Sequence, residues 1–188
     1  MNKNVILAGL LLATGVSSAM ASDAGLVTIN GAVSDQTCKI TTKDGQLATN
    51  VTLQMPTVTK ADVKALDKAA AGAGATTFEL LLSDCDKASA AISFSSPNYV
   101  DLSSGTLKNN NMLTNAAKGV NVALHNNTAT VSQVLIGRPD DVPQETKIDT
   151  TSKMGIFKFV ASYVTAGDST VVEGGLVSTS ATFDVTYQ

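Results

Sequence analysis

Two stretches at opposite ends of the chain alternate like strands with one buried side, and neither has a hairpin partner beside it. In "SDAGLVTING" (residues 22–31), Gly25, Val27 and Ile29 alternate with Leu26, Thr28 and Asn30. In "SATFDVTYQ" (residues 180–188), Ala181, Phe183, Val185 and Tyr187 share one face, and Thr182, Asp184 and Thr186 the other. Only Gln188 follows. An apolar strand with an open edge offers unpaired backbone groups to any passing chain. The last strand is therefore expected to be central or covered, although no neighbouring segment is suited to cover it.

The first 21 residues read as lying outside the fold. "MNKNVILAGLLLATGVSSAMA" has a short basic start at Lys3, an apolar run from Val5 to Ala13 and an A-x-A ending at Ala19-Met20-Ala21, the pattern of a secretory signal peptide. The run is too short to span a membrane, which takes about 20 consecutive apolar residues. The expected mature chain, 22–188, has 167 residues, enough for one domain with its own core. The whole chain carries 13 basic and 16 acidic residues, and without Lys3 the mature part stands at −4. Its basic residues are scattered, so no patch draws in nucleic acid or an anionic membrane.

Cys38 and Cys85 both fall in the exported part, 47 positions apart. An even count in an oxidising compartment argues for one disulfide, worth about 4 kcal/mol by the chain-entropy argument. A metal site is a poor alternative, since His125 has no spaced cluster of ligands around it. A redox pair would read C-x-x-C.

Tryptophan is absent and threonine fills 23 positions, a composition suited to strands with one wet face. Strands are expected at residues 32–40, around Val51, Leu53 and Met55 with Pro56 as the breaker, and at 76–86, 89–96, 119–126, 130–137, 155–167 and 179–187. Residues 59–75, with Val63 and Leu66 three apart and Gly72 and Gly74 after them, are either a short helical turn or a mobile surface connection. Residues 103–119 and 138–147 read as polar loops. Such a series of short strands, with no internal repeat, indicates an all-β sandwich or barrel.

The ordered set "VTINGAVSDQTCKI", "FELLLSDCD" and "ATFDVTYQ" with its penultimate Tyr187, together with the signal peptide and the cysteine spacing, resembles the pilin subunits of chaperone–usher fimbriae of the type 1 major-subunit kind. The resemblance runs over essentially the whole mature chain. It implies an incomplete immunoglobulin-like β-sandwich that lacks its final strand and is completed by a donated one. It further implies a donor-strand extension at 22–30, inserting Asp23, Gly25, Val27 and Ile29, and a pilin domain at 31–188. Cys38 and Cys85 match the family's disulfide, and Ala181, Phe183, Val185 and Tyr187 would form one wall of the acceptor groove. Other copies of the chain, a periplasmic chaperone and an outer-membrane usher are the implied partners, with a fimbrium on the cell surface as the destination. No cofactor is implied. The family often inserts a large aromatic residue, whereas the largest here is Ile29.

Other functions have weaker support. An enzyme would need His125 to join one of 17 serines in a triad, but no G-x-S-x-G elbow exists and His125 is expected to face solvent at a loop edge. The carboxylate pairs Asp84/Asp86 and Asp140/Asp141 sit at turns, where they cap or solvate. Asn126 heads a glycosylation sequon whose machinery the resemblance argues against. A minor adaptor subunit, or a stand-alone secreted β-sandwich adhesin, remains an alternative to a shaft subunit. The extension could also fold back to complete its own domain.

Overall fold

The structure, a computed structural model, describes residues 38–167 and 171–188. The expected signal peptide (1–21), the expected extension (22–30) with Asp23, Gly25, Val27 and Ile29, and residues 31–37 lie outside the described residues. Nine strands are present among them and no helix. They are β1 (Lys39–Thr42), β2 (Ala73–Ser83), β3 (Ser89–Ser95), β4 (Val100–Asp101), β5 (Thr106–Lys108), β6 (Val120–Asn126), β7 (Gln144–Lys147), β8 (Gly155–Thr165) and β9 (Thr182–Tyr187). Six form one sheet in the order β1-β2-β8-β6-β5-β4, and three form a second in the order β7-β3-β9. Every ladder is antiparallel.

Alternation explains how the sheets meet. On β2, Phe78, Leu80 and Leu82 face inward beside Phe159, Phe157 and Gly155 of β8. Ala90, Ile92 and Phe94 of β3 supply the opposite side of the same core. The Phe94 ring stands edge-on to Phe159 across the sandwich, with centroids 5.0 Å apart, a preferred arrangement of aromatic quadrupoles. Cys38 and Cys85 are bonded, their Cα atoms 4.3 Å apart, at the end of the β1–β2 ladder. Asp84 and Asp86 beside this clasp pair with Lys39 and Lys153 at 2.7 and 2.6 Å.

Residues 59–72 form no helix; they open with a single turn, in which the Asp62 N–H donates to Thr59 O at 3.0 Å, and are held to the sheet by hydrogen bonds. Val63 is buried with Ala117 and Val120 in a second small core. The Thr165 N–H donates to Lys64 O at 2.9 Å and the Gln133 N–H to Lys68 O at 2.8 Å. The Gly72 N–H donates to Ser162 Oγ at 2.8 Å. His125 Nε2 lies 2.8 Å from the Asp67 carbonyl oxygen. Asn121, Ala123 and His125 alternate with core residues of β6, so they lie on the outer face of the sheet, yet all are buried. The segment straps down that outer face. The expectation of a solvent-facing His125 is thereby corrected: its side chain is 0% exposed, because a segment distant in sequence covers it.

Three further expectations are corrected. Residues 130–137 bury Val134 and Ile136 but make only an isolated bridge, Gln133 to His125. The polar loop at 103–119 contains β5, whose Thr106 and Leu107 are buried. It follows a turn at Gly105 (φ 69°), where a Cβ would lie 2.9 Å from Leu135 Cα. The loop at 138–147 ends in β7, an edge strand of polar residues.

Two outcomes test this arrangement. Replacing both cysteines with serine is expected to remove about 4 kcal/mol of stability, read as a lower urea midpoint than that of the oxidised chain. His125→Ala leaves the Asp67 carbonyl without its partner, at about 1–3 kcal/mol. Hydrogen exchange is then expected to quicken at the Thr165, Gln133 and Gly72 amides and stay slow in the middle of β2. Unchanged exchange at those three amides would contradict the strap.

Candidate functional site

The last strand lies at the edge of the small sheet and not, as expected, at its centre or under cover: among the described residues it pairs with β3 alone. Gln188 and Ser89 exchange both backbone hydrogen bonds, at 2.9 and 3.0 Å. Antiparallel pairs alternate between bonded and non-bonded positions. It follows from the register that Thr186, Asp184 and Thr182 bond to Ala91, Ser93 and Ser95. The N–H and C=O groups of Phe183, Val185 and Tyr187 therefore point away from β3, along the open edge. The side chains of these three residues are half-buried against the main core, while Thr182, Asp184 and Thr186 are exposed. Ala181 is exposed and precedes the strand.

A second segment has the same character. Val51, Leu53 and Met55 are half-buried against the same core, and Thr52, Gln54 and Pro56 between them are exposed. The strand expected here has the side-chain pattern but no ladder: among the described residues no backbone hydrogen bond joins residues 49–58 to a neighbour. Alternation reports which side is buried, whereas a strand also needs a partner.

A pocket of about 220 Å³ is lined by Met55 and Val58 and by Val172, Gly174 and Val177, which precede β9; no residue of β9 itself lines it. Tyr163 and Val120 also line it. Burial raises the phenol pKa of both Tyr163 and Tyr187, because the charged form would be poorly solvated there. Beside the pocket, Lys118 Nζ lies 2.8 Å from the Glu173 carboxylate, and that contact raises the lysine pKa. The site presents apolar side chains and an open strand edge, and among the described residues no group of three or more His, Cys, Asp or Glu is placed to hold a metal ion.

The site residues expected from sequence thus separate. Phe183, Val185 and Tyr187 stand together on one edge, and Cys38 and Cys85 form the clasp that anchors β1. Segment 51–55 alternates in the sequence, but no motif there marks it as part of the site.

Residues 27–188 match the fimbrial protein family. The major fimbrial subunit SMF-1 of Stenotrophomonas maltophilia is 36% identical over 114 residues, 61% of this chain and 63% of that one. The F17 fimbrial protein of Escherichia coli is 27% identical over the full length of both chains. Among solved structures, the P pilus rod subunit PapA superposes with a TM-score of 0.56 at 17% identity, over 80% of this chain and 99% of that one. The chain belongs to the fimbrial protein family, as a pilin of the chaperone–usher kind with an incomplete immunoglobulin-like fold. The family is structural and not enzymatic.

The ladder geometry has a direct test. Amides of Phe183, Val185 and Tyr187 are expected to exchange at least about tenfold faster than those of Asp184 and Thr186 in the unassembled chain. Equal protection along β9 would mean that its outer edge is already covered.

Proposed function

We propose that this chain is a fimbrial shaft subunit that polymerises by donor-strand exchange. The observation that carries the reading is the pair of extended apolar segments, 51–55 and β9, which pack on one core; among the described residues β9 has a ladder partner on one side and 51–55 has none. A strand laid between them would take up the outward N–H and C=O groups of Phe183, Val185 and Tyr187 and place alternate side chains on the core. Residues 22–30 of the next copy have the pattern for this, with Asp23, Gly25, Val27 and Ile29 on one side.

Donor and acceptor are then different parts of one subunit. The contact is heterologous, and its repetition gives an open filament in place of a closed ring. Until the donor arrives, the edge needs a substitute, since exposed apolar edges aggregate. A periplasmic chaperone fills that role, an outer-membrane usher the handover, and the fimbrium stands at the cell surface. A shaft role is favoured over an adaptor by the likeness to SMF-1, which is described as a major subunit.

Surface-sheared material on an unheated SDS gel tests this. The intact chain is expected to give a ladder of multimers that collapses on boiling. Deletion of residues 22–30 is expected to abolish it, and Gly25→Leu to reduce it severalfold. Monomer in every lane despite normal export would overturn the shaft reading and favour a self-completed or stand-alone sandwich.

A further inference from the structure

Asn109 lies in the loop after β5 and is 5% exposed. Its Nδ2 donates to the Ala117 and Leu176 carbonyls, each at 2.9 Å, and its Oδ1 accepts from the Ser178 N–H at 2.9 Å. One planar amide thus joins the loop before β6 to the segment that leads into β9. The two backbones are stitched together around it. The Leu176 N–H donates to Asn115 O at 2.8 Å, the Ala117 N–H to Leu176 O at 2.9 Å and the Asn110 N–H to Ser178 O at 2.9 Å. Glu173 and Lys118 exchange backbone bonds at 3.0 and 3.2 Å.

Gly175 marks the closest approach. A Cβ there would run into the Asn115 carbonyl oxygen and the Ala117 nitrogen, and would lie 2.7 Å from the Ala116 carbonyl carbon. These are backbone atoms of a bonded loop and have no rotamer by which to yield.

Asn109 does not line the pocket, but the segment it holds does: Val172, Gly174 and Val177 line it together with Met55 and Val58. Ser178 lies four residues ahead of β9 and its hydrogen bond to Asn109 fixes where the strand begins. A buried amide costs free energy unless its polar groups are paired, and here both donor contacts and the acceptor are engaged. Aspartate would set carboxylate oxygen against two carbonyls, and alanine would leave the Ala117 carbonyl and the Ser178 N–H without this partner, while the Leu176 carbonyl would keep only the Ala117 N–H.

We propose that Asn109, with the close approach at Gly175, is a positioning latch for strand capture. It holds residues 171–178 on the loop at 110–118, so that the pocket keeps its shape and the open edge of β9 meets an incoming strand in one register. The inference rests on the donor-strand reading and adds to it a residue that acts from behind the groove wall.

The test uses the full chain, refolded with its disulfide intact and mixed with a labelled synthetic peptide of residues 22–30. Association is followed by fluorescence anisotropy, and hydrogen exchange is measured on the same samples. Asn109→Asp and Gly175→Ala are each expected to slow capture about tenfold, the scale of losing one or two buried hydrogen bonds. Exchange is expected to quicken at the Ala117, Leu176 and Ser178 amides while the middle of β2 and β8 stays protected. Capture within about twofold of wild type in both variants would overturn the latch. So would protection lost evenly through β2 and β8, which marks general destabilisation. If Asn109→Asp does not fold, Gly175→Ala decides alone, since it opens the same contact and leaves Asn109 intact. Wild-type chain that ignores the peptide overturns the donor-strand reading instead, and the wild-type control separates that failure from failure of the latch.

Discussion

Backbone groups that lack a ladder partner govern how this molecule is built. Along β9, alternate residues are bound to β3 and the rest, Phe183, Val185 and Tyr187, turn their N–H and C=O groups outward. The same three residues turn half-buried apolar side chains toward the core. Water can serve the backbone groups but not the side chains, and a second protein segment can serve both. Among the described residues, β9 is the edge strand that combines open backbone groups with half-buried apolar side chains. The edge strand β7 differs: it is short and polar, as edge strands that avoid pairing are.

Rigidity elsewhere is what permits an unfinished edge. The strap at 59–72 covers the outer face of β6 and β8, so the central strands are buried on both sides. The disulfide ties β1 to β2 at the point where the described chain begins. At the far side, Asn109 and the backbone contacts around Gly175 hold the approach to β9. A strip with few ladder bonds of its own thus lies between supports that need no partner.

The central strands were legible because their signal is intrinsic. Phe78, Leu80 and Leu82, then Ile92 and Phe94, then Phe157 and Phe159 alternate strongly enough to fix both type and inward face. What sequence left ambiguous depended on contacts between distant segments. Residues 51–55 alternate as a strand does, yet a ladder requires a neighbour that the described residues do not provide. Val134 and Ile136 alternate too, because their segment lies over the core without pairing along its length. Strand β7 reads "QETK" and carries no apolar residue to announce it. His125 stands in polar company at a strand end, and only the strap, about 58 positions away in sequence, makes it a core residue. Asn109 sits in a run of asparagines, where composition reads as a loop and one member proves structural.

The modest size of the proposed donor side chains acquires a physical consequence in this setting. Burial contributes roughly 25 cal/mol per Å² of apolar surface, so Val27 and Ile29 supply less than a large aromatic would. Ladder bonds then carry a greater share of the association, and because they recur every two residues whatever the side chains, they fix register less firmly than apolar contact does. A one-residue slip would turn Gly25, Val27 and Ile29 away from the core and present Leu26 and Thr28 instead. With weak side-chain anchors, fidelity must come from the acceptor, whose edge has to be in place before pairing begins. An interaction that fixes the start of β9, such as the one Ser178 makes with Asn109, has more to do in a subunit with small donor residues than in one with a large aromatic to set the register.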